Sequence, residues 1–285
     1  MVLEKNMRKI LTTFAIYDDA RQEKYEKWIR PRFQKYADMH GLEFIEKNKS
    51  NWETIILHPE FAECGWGVVR ENMHFNRWLY FQQLLDNNEL KDGDIIYQFD
   101  CDIFIKEMNT FYDPQKSFSY AIDSGNGHCF GFLVIKINEF TRKLIKNIIS
   151  RELWLKARVA KFLDDRTGQA VTWHIADQQM WYTLAGIKRY SKESFFNLPN
   201  YGFHSEVTEL TLFPLEEIID NVHILPLEWN VTHLLEETGR FGQRNEWDCN
   251  HTTEKDTILR HFAGGQPWRF EEYTNKYPLE WVHEK

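Results

Sequence analysis

Short apolar runs alternate with amphipathic segments along most of this chain. The run at 10–17 is bounded by charged residues and predicts a buried first strand. Between 20 and 40, aromatic and aliphatic residues recur at three- and four-residue spacing, which predicts a helix. Pro31 is expected to break or kink that helix near Arg30, because proline has no amide proton and clashes with the preceding turn.

The middle of the chain carries a turn signal, Asp92-Gly93. The segment 94–105 that follows predicts a strand that runs into a polar break and then resumes. The other predicted elements are strands at 42–45, 128–137 and 222–227 and helices at 72–85, 138–163 and 176–185.

This order of elements predicts an α/β fold with a mostly parallel central sheet flanked by helices. No internal repeat or linker is visible, so one domain is expected over residues 1–285, with an irregular C-terminal wrap over about 235–285. Ligands of such folds bind beyond the carboxyl ends of the strands. The polar break at Asp100-Cys101-Asp102 lies where this rule places a site.

Composition narrows the class of protein. The chain has 285 residues, of which 42% are apolar, 27% charged and 15% aromatic, as in a folded soluble protein. A net charge of -8 argues against a nucleic-acid partner, and no apolar run approaches the ~20 residues of a transmembrane segment. The four cysteines form no C-x-x-C pair, which favours a reducing cytoplasm. Basic residues interleaved with aromatic ones over 21–36 leave a peripheral membrane association open.

Two carboxylates, Asp100 and Asp102, end the apolar strand. They repel each other and are costly to desolvate, and a bound divalent cation relieves both problems. Hard oxygen ligands favour Mg²⁺ or Mn²⁺. The alternative is a pair of solvated turn carboxylates. An aspartyl-nucleophile phosphatase is disfavoured, because Phe104 stands where those enzymes carry threonine.

Two further segments carry candidate chemistry. His261 can bind a first-row metal, and Gly264-Gly265 allows the backbone to approach a bulky anion, although a plain loop histidine is the alternative. Asp177 and Gln178 open a predicted helix, where the helix dipole favours a carboxylate. They are either an ordinary helix start or a polar pair that faces a substrate.

The ordered set of these motifs resembles the nucleotide-sugar glycosyltransferases of the GT-A (Rossmann-like) fold, in particular the glycogenin-like and galactosyl/mannosyl-transferase branches. The matching pieces are the Asp-Cys-Asp strand end, a strand containing Gly131, Asp-Gln on a helix, Leu-Pro-x-x-Trp-Asn at 225–230 and a late His-Phe-x-Gly…Pro-Trp. The resemblance covers about residues 8–268.

The resemblance implies roles for individual residues. Asp100, Asp102 and His261 would hold Mn²⁺ or Mg²⁺, and Asp177 and Gln178 would be the catalytic pair beside the donor sugar and the acceptor. The residues implied at the nucleotide are Phe14, Arg77, Asp100, Gly264 and Gln266. The family carries a phosphate-binding lysine near Gln266, which this chain lacks, and Arg269 and Arg77 are the candidates to replace it.

The implied function is a metal-dependent hexosyl- or pentosyltransferase. It would move a sugar from a UDP- or GDP-sugar to a glycan or another hydroxyl acceptor, with retention of configuration. Two alternatives stay open at this point: a non-catalytic carbohydrate- or nucleotide-binding module of the same fold, and a metal-dependent phosphohydrolase.

Overall fold

A computed structural model describes residues 7–16, 19–57, 68–123, 127–159, 162–163, 170–171, 176–188, 199–232, 234, 252–263 and 268–279. The chain forms two compact units. The first comprises Met1–Trp52, Gly93–Lys136 and His223–Lys285, and the second comprises Glu53–Asp92 and Ile137–Val222. The single catalytic domain over 1–285 stays a prediction.

The first unit contains most of the strands. Its strands are β1 (Lys9–Ala15), β2 (Glu43–Asn48), β3 (Ile95–Phe99), β4 (Ile103–Ile105), β5 (Phe118–Asp123), β6 (Gly127–Lys136), β10 (Leu259–His261) and all but the first residue of β9 (Val222–Leu225). Its helices are α1 (Asp19–Lys24), α2 (Arg30–His40) and α8 (Phe270–Lys276). The second unit contains α3 (Val68–Asp86), α4 (Glu139–Ile148), α5 (Arg151–Val159), β7 (Phe162–Leu163), β8 (Ala170–Val171), α6 (Asp177–Ala185) and α7 (Leu215–Asn221).

The central sheet has six strands in the order β2-β1-β3-β6-β5-β9. Strand β1 pairs in parallel with both β2 and β3, and β6 is antiparallel to its neighbours β3 and β5. Strands β1, β2, β3 and β5 therefore run in the same direction, with β6 opposed to them. This arrangement confirms the predicted α/β class and the mostly parallel sheet.

Apolar side chains on β1 and β3 account for their central position. All five residues of β3 are buried, and six of the seven residues of β1 are buried. A strand that is covered on both faces has a nearly continuous run of apolar residues, and the sequences of β1 and β3 show this pattern. On one face, Phe99 of β3 packs against Phe33 of α2, with 5.3 Å between ring centroids, and against Phe132 of β6.

The predicted helix over 20–40 is continuous but changes its winding. Between α1 and α2, Tyr25–Ile29 forms a π-helical turn, and the amide of Arg30 donates to the carbonyl oxygen of Tyr25, five residues back. Pro31 has no amide proton to offer the preceding turn, and a wider turn accommodates that loss. The proline therefore alters the helix near Arg30, as predicted, without ending it.

The predicted helix over 138–163 is wrong in its extent. Helix α4 ends at Ile148, and α5 begins at Arg151, where the hydroxyl of Ser150 accepts a hydrogen bond from the amide of Leu153. A serine at this position caps a new helix, and apolar periodicity alone does not reveal such a cap. Phe162–Leu163 is a short strand paired with Ala170–Val171.

The segment after 235 was expected to be irregular, and this expectation is wrong for two parts of it. Strand β10 pairs in antiparallel fashion with β4, and α8 follows it. Buried cations hold this region: Arg32 of α2 donates to the carbonyl oxygens of Ile105 and Tyr277. Lys106 donates to the carbonyl oxygen of Lys255 at 2.9 Å.

None of the helices within the described residues combines the length and the apolar character that a membrane-spanning segment requires.

The end of α2 offers a test of backbone geometry. Gly41 follows the helix with φ of +64°, and a Cβ at this position would meet nothing within 4 Å. We expect Gly41→Ala to lower the free energy of unfolding by about 1–2 kcal/mol through left-handed backbone strain alone. Gly41→Asn should cost less, because asparagine tolerates this conformation. Urea unfolding measures both, and equal losses for the two variants would contradict the backbone origin.

Candidate metal centre

The two predicted metal carboxylates lie in the turn between β3 and β4. The amide of Asp100 donates to the carbonyl oxygen of Gly131 on β6 at 2.8 Å, and the amide of Ile103 donates to the carbonyl oxygen of Asp100 at 3.0 Å. Cys101, between the two acids, belongs to the hydrophobic core of the first unit. The turn is therefore anchored by backbone bonds on one side and by a buried thiol on the other. This anchoring limits the freedom of Asp100 and Asp102.

His261 reaches the carboxylates because β10 pairs with β4. In this register His261 lies opposite Ile103, and the amide of Phe262 donates to the carbonyl oxygen of Asp102 at 3.0 Å. The imidazole Nε2 is 3.1 Å from Oδ1 of Asp102 and 3.9 Å from Oδ2 of Asp100. One ligand atom from each of these three side chains lies within 4.8 Å of the others. The structure thus brings the three predicted metal ligands together.

The centre is buried and charged. The His261 side chain is 5% exposed and the Asp102 side chain 10%, whereas Asp100 is 25% exposed and forms the more open edge. Burial is the largest single effect and lowers the pKa of His261, but the contacts with Asp102 and Cys129 together outweigh it and hold the pKa well above its usual value. The carboxylates therefore create a strong local preference for a positive charge.

The geometry fits a hard divalent cation. Oδ1 of Asp102 is buried and faces Nε2 of His261 at 3.1 Å, and a bound cation would offset the charge of this buried carboxylate. Neighbouring ligands of an octahedral ion with bonds of about 2.1 Å lie about 3 Å apart, and the Asp102–His261 distance is 3.1 Å. Carboxylate oxygens and an imidazole nitrogen are all common ligands of divalent metal ions. Asp100, Asp102 and His261 can therefore hold a metal ion.

Asp177 is the first residue of α6 in the second unit, and its buried carboxylate accepts hydrogen bonds from neighbouring side chains and a backbone amide. Its Oδ2 accepts hydrogen bonds from Nε of Arg77 at 2.9 Å, Nη2 of Arg77 at 2.7 Å and the indole Nε1 of Trp78 at 2.7 Å. Its Oδ1 accepts from the amide of Gln178 at 2.8 Å. Asp177 is 1% exposed and Arg77 3%. Both oxygens of this predicted catalytic acid are therefore engaged within the chain.

Gln178 and Arg77 were also predicted as site residues. Gln178 follows Asp177 at the start of α6, is partly exposed, and donates through Nε2 to the hydroxyl of Tyr182 at 3.0 Å. Arg77, predicted to contact the nucleotide phosphates, places its guanidinium on Asp177. The catalytic roles of Asp177 and Gln178 and the phosphate contact of Arg77 stay predictions.

Phe14, predicted at the nucleotide, lies near the carboxyl end of β1. Its ring meets Trp52 edge-to-face at 5.7 Å between centroids, and Nζ of Lys47 on β2 lies 5.6 Å from the centroid of Trp52. Phe14 and Asp100 each follow the paired residues Thr13 and Phe99 of β1 and β3. The aromatic pair and the first metal carboxylate therefore share one edge of the sheet. The predicted nucleotide contacts Gly264 and Gln266 lie outside the described residues.

Three residues near these sites were not given a role by the sequence. Trp52 joins Phe14, as described above. Asn230 lies against His261, with its Oδ1 3.0 Å from Nδ1 of the imidazole. Gly131 lies against both His261 and Asn230, since a Cβ at residue 131 would stand 2.6 Å from Nδ1 of His261 and 2.7 Å from Oδ1 of Asn230. The motifs that contain Asn230 and Gly131 were visible in the sequence, but their contact with His261 depends on pairing between distant segments.

Comparison with known proteins finds similarity among solved structures. No protein-family model matches the chain, and no curated protein does. Among solved structures, the chain is similar to the crystal structure of a glycosyltransferase involved in the glycosylation of the major capsid of PBCV-1. The identity is 12% over 94% of this chain and 98% of that chain, with a TM-score of 0.46. A similarity at this level carries no functional conclusion, which must come from the residues of the site.

Proposed function

We propose that this chain is a metal-dependent glycosyltransferase that uses a nucleoside-diphosphate sugar as donor and a hydroxyl group as acceptor. The observation that carries the proposal is the convergence of Asp100, Asp102 and His261 at the carboxyl end of β3, with a buried oxygen of Asp102 that lies 3.1 Å from Nε2 of His261. The motif order that resembles GT-A glycosyltransferases supplies the reaction class.

Charge explains why this chain would need a cation for such a donor. A net charge of -8 and two carboxylates at the site repel a diphosphate. Asp100, Asp102 and His261 would hold Mn²⁺ or Mg²⁺ in the predicted position. Held by these three residues, the ion would offset the charge of the diphosphate and supply Lewis-acid assistance to the departure of the nucleoside diphosphate.

Phe14, Trp52 and Lys47 support a nucleotide at the same edge of the sheet. The partly exposed ring of Trp52, supported edge-to-face by Phe14 and close to Lys47, suits a nucleobase, because a base can stack on an aromatic ring and the amino group can contact its polar edge. Strands β2 and β3 both flank β1, so their ends lie about 10 Å apart. A nucleoside diphosphate can bridge that interval between the aromatic pair and Asp100.

Asp177 and Gln178 enter the proposal through the family resemblance. A transferase that retains configuration does not require the acid of this pair to take the acceptor proton first. In this chain Asp177 would fix the start of α6 through Arg77 and Trp78, and the partly exposed Gln178 would present its amide to the sugar. The donor base, the sugar and retention of configuration all belong to the proposal.

The test is a screen of UDP- and GDP-sugars with Mn²⁺ and a panel of glycan acceptors. We expect release of nucleoside diphosphate together with a mass gain of the acceptor, both abolished by excess chelator. The anomeric proton coupling in the product measures the stereochemistry, and retention is expected. Asp113→Asn, which changes an exposed carboxylate of the first unit, serves as the control and should behave as the wild type.

Other outcomes would favour the remaining candidates. Metal-dependent nucleotide binding without any transfer would indicate a binding module. Release of inorganic phosphate from phosphorylated sugars, without a new glycosidic bond, would indicate a phosphohydrolase. Full transfer in excess chelator would contradict the metal dependence, and inversion would contradict retention.

A further inference from the structure

His261 makes a second contact on the side of the ring opposite to the carboxylates. Its Nδ1 is 3.0 Å from Oδ1 of Asn230, a residue with no exposed surface. A ring nitrogen that faces an amide oxygen at this distance donates its proton to it. The second nitrogen, Nε2, then faces Asp102 and Asp100.

The backbone holds Asn230 in register with His261. Asn230 follows a 3-10 turn, Leu227–Trp229, and its amide donates to the carbonyl oxygen of Leu227 at 2.9 Å. The next residue, Val231, is bonded on both sides to β10: its amide donates to Leu259, and its carbonyl oxygen accepts from the amide of His261 at 2.9 Å. These backbone hydrogen bonds fix the position from which the side chain of Asn230 reaches the imidazole.

Gly131 leaves the space that the imidazole of His261 and the side chain of Asn230 occupy. A Cβ at residue 131 would lie 2.5 Å from Cε1 of His261, 2.6 Å from Nδ1 and 2.7 Å from Oδ1 of Asn230. Those distances are shorter than non-bonded atoms allow, and both side chains are buried, so neither has room to move away. Strand β6 also departs from regular pairing here, since Ala121 lies opposite Cys129 but Tyr120 opposite Leu133. An irregular strand with a glycine thus makes the space that the ring and the amide share.

We propose that Asn230, with the space left by Gly131, is a positioning residue that makes Nε2 the metal-binding nitrogen of His261. This inference rests on the metal site of the proposed function. A histidine ligand binds a metal through one nitrogen, and the hydrogen bond made by the other nitrogen sets the tautomer and the ring orientation. Without the Asn230 amide, the ring keeps its contacts with Asp102 and Cys129 but loses the oxygen that accepts the Nδ1 proton. The metal would then meet a ligand in several orientations.

The experiment measures binding of Mn²⁺ alone, by the EPR signal of the free ion. Asn230→Leu removes the acceptor at similar volume, and we expect it to weaken Mn²⁺ binding about 10–100-fold, the usual cost of losing such a partner. Pulsed EPR of the bound ion should show the nitrogen of a coordinated imidazole in the wild type and a weaker nitrogen signal in the variant. Asn230→Asp keeps an acceptor and has no amide proton to donate, so it should restore binding to within a few-fold of the wild type.

A matched control separates positioning from general destabilisation. Asn76 in the second unit is also fully buried, and its amide bonds the backbone of Ile55 in both directions. Asn76→Leu should lower the thermal midpoint without changing Mn²⁺ affinity. An independent variant, Gly131→Ala, should weaken Mn²⁺ binding at least as much as Asn230→Leu, because the added methyl group displaces the ring.

The outcomes distinguish this inference from the proposed function. Wild-type Mn²⁺ affinity and an unchanged nitrogen signal in Asn230→Leu would overturn the positioning role while leaving the metal site intact. Failure of Asn230→Asp to restore binding would also overturn it. If the wild-type chain itself binds no Mn²⁺, the metal dependence of the proposed function fails as well.

Discussion

Replacing Asp102 by asparagine is expected to weaken Mn²⁺ binding by more than about 100-fold. Asp102 supplies the buried carboxylate oxygen that lies 3.1 Å from Nε2 of His261. Loss of an outer partner alone costs about 10–100-fold in metal affinity, so loss of a charged ligand should cost more. Asparagine preserves the volume of this buried side chain. Calorimetry with Mn²⁺, repeated with Mn²⁺ and a nucleoside diphosphate, measures the loss.

The comparison needs a measure of folding and a control. The thermal midpoint of Asp102→Asn in excess chelator shows whether the fold survives, and Asp113→Asn should bind Mn²⁺ as the wild type does. Glycosyl transfer, where a donor has been found, should fall in parallel with metal binding. A variant that folds and keeps the wild-type Mn²⁺ affinity would remove Asp102 from the metal site.

Replacing Asp177 by asparagine is expected to lower the free energy of unfolding by about 3–5 kcal/mol. Arg77 and Asp177 form a buried pair at 2.7 Å, and the side chains are only 4% and 2% exposed. Asparagine takes away the carboxylate charge that Nε and Nη2 of Arg77 bind, and the loss of this buried ion pair is the origin of the effect. Urea unfolding measures it. The double variant Arg77→Met, Asp177→Leu removes both charges and should recover part of the lost stability, although the indole of Trp78 still loses its acceptor.

A surface pair in the same unit calibrates this result. Lys143 and Glu217 lie 3.0 Å apart with side chains 38% and 31% exposed, and Glu217→Gln should cost less than about 1 kcal/mol. If Asp177→Asn is as stable as Glu217→Gln, the structural role of the Arg77–Asp177 pair is wrong. A loss of kcat in such a stable variant would then favour the predicted catalytic role of Asp177. Kinetics should therefore be measured at temperatures where the variant is folded.

Local patterns were enough to predict the elements around the metal centre. The apolar run of β3, the polar break and the resumed run of β4 are adjacent in the chain, so their order and burial could be inferred from hydrophobicity alone. The same holds for β1 and for the start of α6 at Asp177. The break between α4 and α5 was missed because one serine cap, Ser150, interrupts an apolar period that otherwise continues.

Only the tertiary structure shows which of these elements pair with each other and which of their side chains meet. Apolar periodicity reports that a residue is buried, but it does not report which distant segment buries it. The pairing of β10 with β4 places His261 at Asp102, and the turn before Val231 places Asn230 at His261. The family resemblance named Asp100, Asp102 and His261, whereas the need for glycine at 131 follows only from atoms that pairing brings within 3 Å. The sequence by itself therefore determined the α/β class and the candidate ligands, and long-range strand pairing decided how those ligands are held.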